Sequence, residues 1–264
     1  MDVIQAIILG IVQGLTEFLP VSSSGHIIIG KALLGVEINP DAATTFEVVV
    51  HAATVFSTLV VFRQEILKLL LGGLKFQYNE ETQYILKIGI SIIPILIVGL
   101  FFKDEVEALF GEGVFLVGMM LLVTAILLTL SFFKKSGKRS ITYLDAFIIG
   151  IAQSIAVLPG LSRSGTTIST GLLLGDKKEE IAKFSFLMVL IPILGESFLS
   201  LIKGEFTPEA SGISTIALIS GFVAAFLSGL FACKVMINIV KRGKLIWFAV
   251  YCLIMGLVSL IFLS

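Results

Sequence analysis

An all-α polytopic membrane protein, with six transmembrane helices and two re-entrant helical hairpins in an inverted-topology repeat, is expected from three observations. The first is composition: of 264 residues, 56% are hydrophobic and 14% charged, with mean hydropathy +1.05, whereas soluble domains carry about 25% charged residues. The second is the presence of long runs without charge and without the two-residue alternation of a spanning strand. The third is a pair of helix-breaking motifs, LPVSSSGH at 19–26 and LPGLSRSG at 158–165. Zero net charge gives no reason to expect a nucleic-acid partner. Cys233 and Cys252 lie within apolar segments and read as small packing residues. The first apolar run lacks a basic start and contains Glu17 and Pro20, so it is not expected to be a removable signal.

Six segments are long and apolar enough to span: 44–62, 83–102, 113–133, 181–202, 213–237 and 245–263. Regions 3–34 and 142–175 differ, because Pro20 and Pro159 split each into two arms. The later arms, 22–34 and 162–175, are about 20 Å long as helices, too short for a hydrocarbon core of about 30 Å. Small polar residues at such a break survive only if protein buries them or they line a cavity, so both regions read as re-entrant hairpins. At a constant offset of 140 residues, Ala6, Gly10, Ile11, Gln13, Ser22, Ser24 and Gly25 recur as Ala146, Gly150, Ile151, Gln153, Ser162, Ser164 and Gly165. Three spanning segments follow each hairpin, an odd number, so the second copy enters from the opposite side. The chain is therefore expected to be one membrane domain, 1–264, with repeats 1–137 and 138–264.

Charge sets the orientation. The connections 63–82, 134–141, 176–180 and 238–244, with Lys183, hold 13 Lys and Arg residues, against three on the other side. By the positive-inside rule, the first hairpin and both termini face outward and the second hairpin enters from the cytoplasm.

The tips hold the candidate chemistry. Gln13 and Glu17 share a helix face, and a carboxylate at that depth needs a cation, a donor or a wet cavity. Ser22, Ser23 and Ser24 open the next half-helix, where backbone N–H groups and the helix dipole favour an anion. His26 can lie on their face. In the second hairpin Ser162, Arg163, Ser164, Gly165 and Thr166 open another half-helix. Together these groups suit a phosphate or diphosphate: Arg163 can fork onto its oxygens, Ser22 or Ser23 with His26 gives a nucleophile and base, and Gln13 with Glu17 offers oxygen ligands for Mg²⁺ or Ca²⁺. The bland alternative for Arg163 is a salt bridge to Glu17 that locks the hairpins together. Gly10, Gly150 and Gly171 read as close-packing positions. Glu47 and His51 read as a structural pair, with a place in the cavity wall as the alternative, and Glu196 as a residue that snorkels or pairs near the outer end of its segment.

The stretches QGLTEFLPVSSSGH, 13–26, and PGLSRSGTT, 159–167, resemble the undecaprenyl-diphosphate phosphatase family, the bacitracin-resistance proteins, and the resemblance covers essentially the whole chain. It implies hydrolysis of undecaprenyl diphosphate to undecaprenyl phosphate and inorganic phosphate at the outer face of the bacterial plasma membrane. That reaction recycles the lipid carrier for peptidoglycan synthesis and is linked to bacitracin resistance. It also implies that Gln13 and Glu17 form the family's paired acidic element, that Ser22, Ser23 and His26 are functional, and that Arg163 binds phosphate. Many members carry Glu where Gln13 stands, which weakens the expected metal site here. Ser23 is the expected nucleophile, with His26 or Glu17 as base, and His26 as nucleophile is the alternative. The rival function is a transporter or flippase of polyprenyl phosphate or another anion, since broken helices in inverted repeats also build transporters. The expected partners are the polyprenyl diphosphate, the bilayer and a second copy in a homodimer.

Overall fold

The computed structural model describes residues 1–36, 40–110, 113–134, 137–204 and 212–262. Lys135, one of the basic residues counted above, lies outside them, as does residue 263 at the end of the last expected span. Among the described residues regular structure is helical, apart from an isolated bridge between Arg139 and Asp176.

The first hairpin is α1 (Val3–Phe18) and α2 (Ser23–Leu33). Next come α3 (Pro40–Val61), the short α4 (Arg63–Gly73), α5 (Glu80–Phe101), the short α6 (Lys103–Phe110) and α7 (Gly113–Phe133). The second hairpin is α8 (Tyr143–Ile155) and α9 (Arg163–Leu174), followed by α10 (Lys178–Met188), α11 (Leu190–Ile202), α12 (Thr215–Arg242) and α13 (Ile246–Phe262). Five stretches are long and apolar enough to cross a membrane: α3 from Ala42, α5, α7, the α10–α11 pair and α12. The chain is thus a polytopic helical membrane protein, and its exposed Leu, Ile and Phe side chains are what lipid requires. The sixth expected span, α13, has 17 described residues, about 25 Å of helix.

Two elements differ from the sequence reading. The segment expected as one helix over 181–202 breaks at Val189, three residues before Pro192. Proline has no N–H to give and its ring crowds the carbonyl one turn back. The connection 63–82 contains α4, whose Leu67, Leu70 and Leu71 are exposed.

Packing places each hairpin against the other half of the chain. α1 lies along α12 and α8 along α5, while α7 pairs with α13. Small residues make the first two approaches close. A Cβ on Gly10 would strike the backbone oxygen of Gly221, and one on Gly150 that of Ser91. Gly171 leaves no room beside Ile181. All three have the packing role expected of them. Cys233 and Cys252 are buried and free.

Candidate active site at the hairpin tips

Each tip is made the same way. Pro20 or Pro159 stops the first arm, and a serine caps the second. Ser22 Oγ accepts the Gly25 N–H at 3.3 Å, and Ser162 Oγ accepts that of Gly165 at 3.1 Å. Both hydroxyls thus serve as helix caps, a role worth about 1 kcal/mol each. The tips touch. A Cβ built on Gly25 would lie 3.1 Å from Gly160 Cα, one on Gly165 3.2 Å from Pro20 Cβ, and Ser164 Oγ donates to the Leu19 carbonyl at 3.3 Å.

Glu17, in the last turn of α1, is where the two tips join chemically. Its Oε1 accepts from Arg163 Nη2 at 2.6 Å. Its Oε2 accepts from the Ser23 hydroxyl at 2.7 Å and the Gln13 amide at 2.9 Å. His51 Nε2 stands 3.4 Å from the same Oε2. The salt bridge weighed above as the bland account of Arg163 is therefore present, and it is also what sets a guanidinium beside a serine hydroxyl and its carboxylate partner. A deep carboxylate is tolerable on these terms because donors meet both of its oxygens.

His26 is not where the expected serine–histidine pair requires it. Its Nδ1 lies 2.8 Å from the Ser22 carbonyl, one turn back, and its Nε2 2.7 Å from the Tyr251 hydroxyl of α13, whose ring stacks on it. A carbonyl only accepts, so Nδ1 carries hydrogen and Nε2 takes the tyrosine proton. Among the described residues the hydrogen-bond partner of the Ser23 hydroxyl is Glu17, not His26.

A small, partly open cleft is lined by Glu17, Arg163 and Ser164 and walled by Thr54, Thr58, Ser185 and Val189, among others. Ser22, Ser23, His26, Ser162, Gly165 and Thr166 do not line it. Thr166 is buried, with no partner for its hydroxyl. Of the expected phosphate-binding group, Arg163 and Ser164 reach open space.

The fit of a divalent cation turns on Gln13. This side chain is fully buried and its Oε1 has no hydrogen-bond partner, which leaves an oxygen with unused lone pairs beside Glu17. No group of three or more His, Cys, Asp or Glu residues among those described could hold a metal ion. Two protein oxygens suit an ion of the Mg²⁺ type, which usually takes one or two protein ligands and completes its shell with substrate phosphate and water.

The sequence reading missed two participants. Of the two readings of Glu47 and His51, the pair is not formed, since Glu47 is bound to Lys31 at 2.8 Å; the His51 ring instead reaches Glu17 from α3, nearer to the alternative of a wall of the site. Tyr251 carried no signal, being one aromatic in an apolar run. Glu196 is exposed.

Fold and site together define a helical integral membrane protein in which an ion-paired carboxylate, a serine and an arginine meet where two helices break. The chain belongs to the family described as bacitracin resistance protein BacA, whose profile matches residues 6–258. It is similar to proteins named undecaprenyl-diphosphatase from several organisms. The one from Bacteroides fragilis is 59% identical over 265 residues, covering 99% of this chain and 98% of that protein. That from Parabacteroides distasonis is 59% identical over 260 residues, 97% and 96% of the two chains. That from Carboxydothermus hydrogenoformans is 41% identical over 265 residues, 99% and 97%.

Proposed function

We propose that this protein is a membrane phosphatase that hydrolyses undecaprenyl diphosphate to undecaprenyl phosphate and inorganic phosphate, recycling the lipid carrier of cell-wall synthesis. The family and its relatives' name point there. The observation that carries the reading is the Ser23 hydroxyl 2.7 Å from Glu17, whose other oxygen holds Arg163.

In this reading Ser23 Oγ attacks the terminal phosphorus while its proton passes to Glu17 Oε2. The bridging P–O bond breaks and undecaprenyl phosphate leaves. Glu17 passes that proton to the departing undecaprenyl phosphate. Water then gives a proton to Glu17 as it attacks the phosphoserine, the P–Oγ bond breaks, and Glu17 returns the proton to Ser23 Oγ, leaving inorganic phosphate. Arg163 neutralises the phosphoryl oxygens as charge shifts, which is the main demand of phosphoryl transfer. The N-termini of α2 and α9 add backbone donors. His26, committed to Ser22 and Tyr251, supports the tip rather than Ser23. A Mg²⁺ or Ca²⁺ ion, held by Gln13 Oε1 and Glu17, would supply further neutralisation of the diphosphate.

The same reading extends to architecture. The hairpins are re-entrant, and residues 1–137 and 138–264 are inverted repeats. The matched packing of α1 on α12 and α8 on α5 supports this. The charge distribution supports a plasma-membrane protein with both termini and the first hairpin outside, and Ser23 approached from that side.

Two experiments test these statements. Purified protein should release phosphate from a polyprenyl diphosphate, lose the activity with chelator and regain it with Mg²⁺ or Ca²⁺; an inert protein ends the phosphatase reading and leaves the transporter. In cells expressing protein without Cys233 and Cys252, Asp104→Cys should react with an impermeant thiol reagent and Gln77→Cys and Glu179→Cys should not. The reverse pattern places the first hairpin inside.

A further inference from the structure

Glu17 has more partners than one ion pair requires. Arg163 holds Oε1, while Ser23, Gln13 and His51 all address Oε2. His51 comes from the middle of α3, an element outside both tips. Its Nδ1 lies 2.9 Å from the Glu47 carbonyl one turn back, so that nitrogen carries hydrogen and fixes the ring on the helix backbone. Nε2 then meets Glu17 either as a lone pair against an oxygen or as a second N–H. Glu17 accepts from three other donors and so is the accepting, ionised group, and the contact attracts only with hydrogen on Nε2. At 3.4 Å it is a looser contact than the other three.

That looseness matters because the substrate competes with Glu17 for Arg163 in the reaction proposed above. The guanidinium meets Glu17 through Nη2, and a diphosphate that forks onto its remaining donors draws on the same charge. The hold of Arg163 on Glu17 then weakens at the moment the carboxylate's orientation toward Ser23 is needed. We infer that His51 is a positioning residue that holds the Glu17 carboxylate on Ser23 while Arg163 is engaged by the substrate. Glu47 does not compete for the ring, since its carboxylate is occupied by Lys31. The inference rests on the phosphatase reading of the same site.

The test is steady-state hydrolysis of a polyprenyl diphosphate in mixed micelles by the full-length protein and its His51→Gln, His51→Asn and His51→Phe variants. Gln can carry an amide donor to Glu17, Asn is too short, and Phe keeps the ring without the donor. The expected result is a fall in kcat of about tenfold to a hundredfold for Asn and Phe, with KM within about twofold, and recovery of most of kcat by Gln. A packing role would make Phe the mildest change and Gln no better than Asn, and that order overturns the inference. So does a loss carried by KM alone, or three variants as active as the parent. Asn against Gln decides the matter if Phe does not fold. A parent protein that releases no phosphate overturns the phosphatase reading itself, and this inference with it.

Discussion

The two hairpins are built alike and differ almost wholly in what they present. At the 140-residue offset, α1 and α8 start with the same capping box, Asp2 with Gln5 and Thr142 with Asp145. Both bases close on the same carbonyl. Gln5 donates to Leu34 O at 3.3 Å, and Arg139, held by Asp145 at 2.8 Å, donates to Leu174 O at 3.1 Å. At the tips, the Pro20 carbonyl faces Cys252 Sγ of α13 at 3.5 Å and the equivalent Gly160 carbonyl faces Thr124 Oγ1 of α7 at 3.4 Å. Then the likeness stops. Glu17, Ser23 and His26 stand where the second hairpin has Val157, Arg163 and Thr166. Ser22 has φ 70° where Ser162 has φ −67°. The lesson is that backbone closure can be shared by two copies while chemistry is divided between them, acid and hydroxyl in one and cation in the other.

If that division is correct, damage to either contribution should abolish turnover while leaving the shared frame standing. The largest effect is expected for Glu17→Gln, which keeps the shape but removes the proton acceptor, with phosphate release falling by about 10²–10⁴-fold. Arg163→Ala should follow at about 10²–10³-fold, and Arg163→Lys should recover part of it, because a point charge does not replace a planar fork. Near-normal turnover by Arg163→Ala would return the residue to a purely structural lock. The tips also differ in strain, which thermal unfolding in detergent can expose. Ser22→Ala and Ser162→Ala should each lose about 1 kcal/mol with the cap. Ser22→Gly should be at least as stable as the parent, because φ 70° is a left-handed value that glycine takes without penalty, whereas Ser162→Gly should not gain.

The smallest effect concerns the base of the second hairpin. Burial, then the charge of Asp145, pushes the Asp176 carboxyl up to about 6 from 3.8. The folded protein therefore holds this proton more tightly than the unfolded chain. The contribution to stability is full below pH about 4 and is lost as pH rises through about 6. Asp176→Asn should raise Tm by about 2–4 °C at pH 7.5 and match the parent at pH 4. The first hairpin has Val36 at this position, so its variants should show no such crossing.

Much of this was legible in the sequence, for local reasons. Pro20, Pro159 and the Ser-x-Ser-Gly pattern specify where helices break and are capped within a few residues, and α2 and α9 begin and end within one residue of the later arms expected, although α8 already ends at Ile155. Gly10 and Gly150 were legible because a spanning helix has few other reasons to keep glycine. His51 was not, because its partner comes from another helix, and its i,i+4 spacing from Glu47 suggested a pairing that Lys31 takes instead. His26 was misplaced because a shared helix face does not say which way a ring turns, and a carbonyl one turn back was the nearer partner. The break at Val189 was hidden because an apolar average runs straight through Pro192.

The seam between the tips carries one more consequence. Gly25 against Gly160 and Gly165 against Pro20 leave almost no space between segments proposed to enter from opposite faces. A membrane that holds a voltage is short-circuited wherever a polar site opens to both sides. In the proposed arrangement the seam acts as an insulator. Its glycines let backbone meet backbone too closely for a file of water, so a bulkier residue at Gly25 or Gly165 would wedge the tips apart and show itself as proton leak in sealed vesicles, whatever it did to turnover.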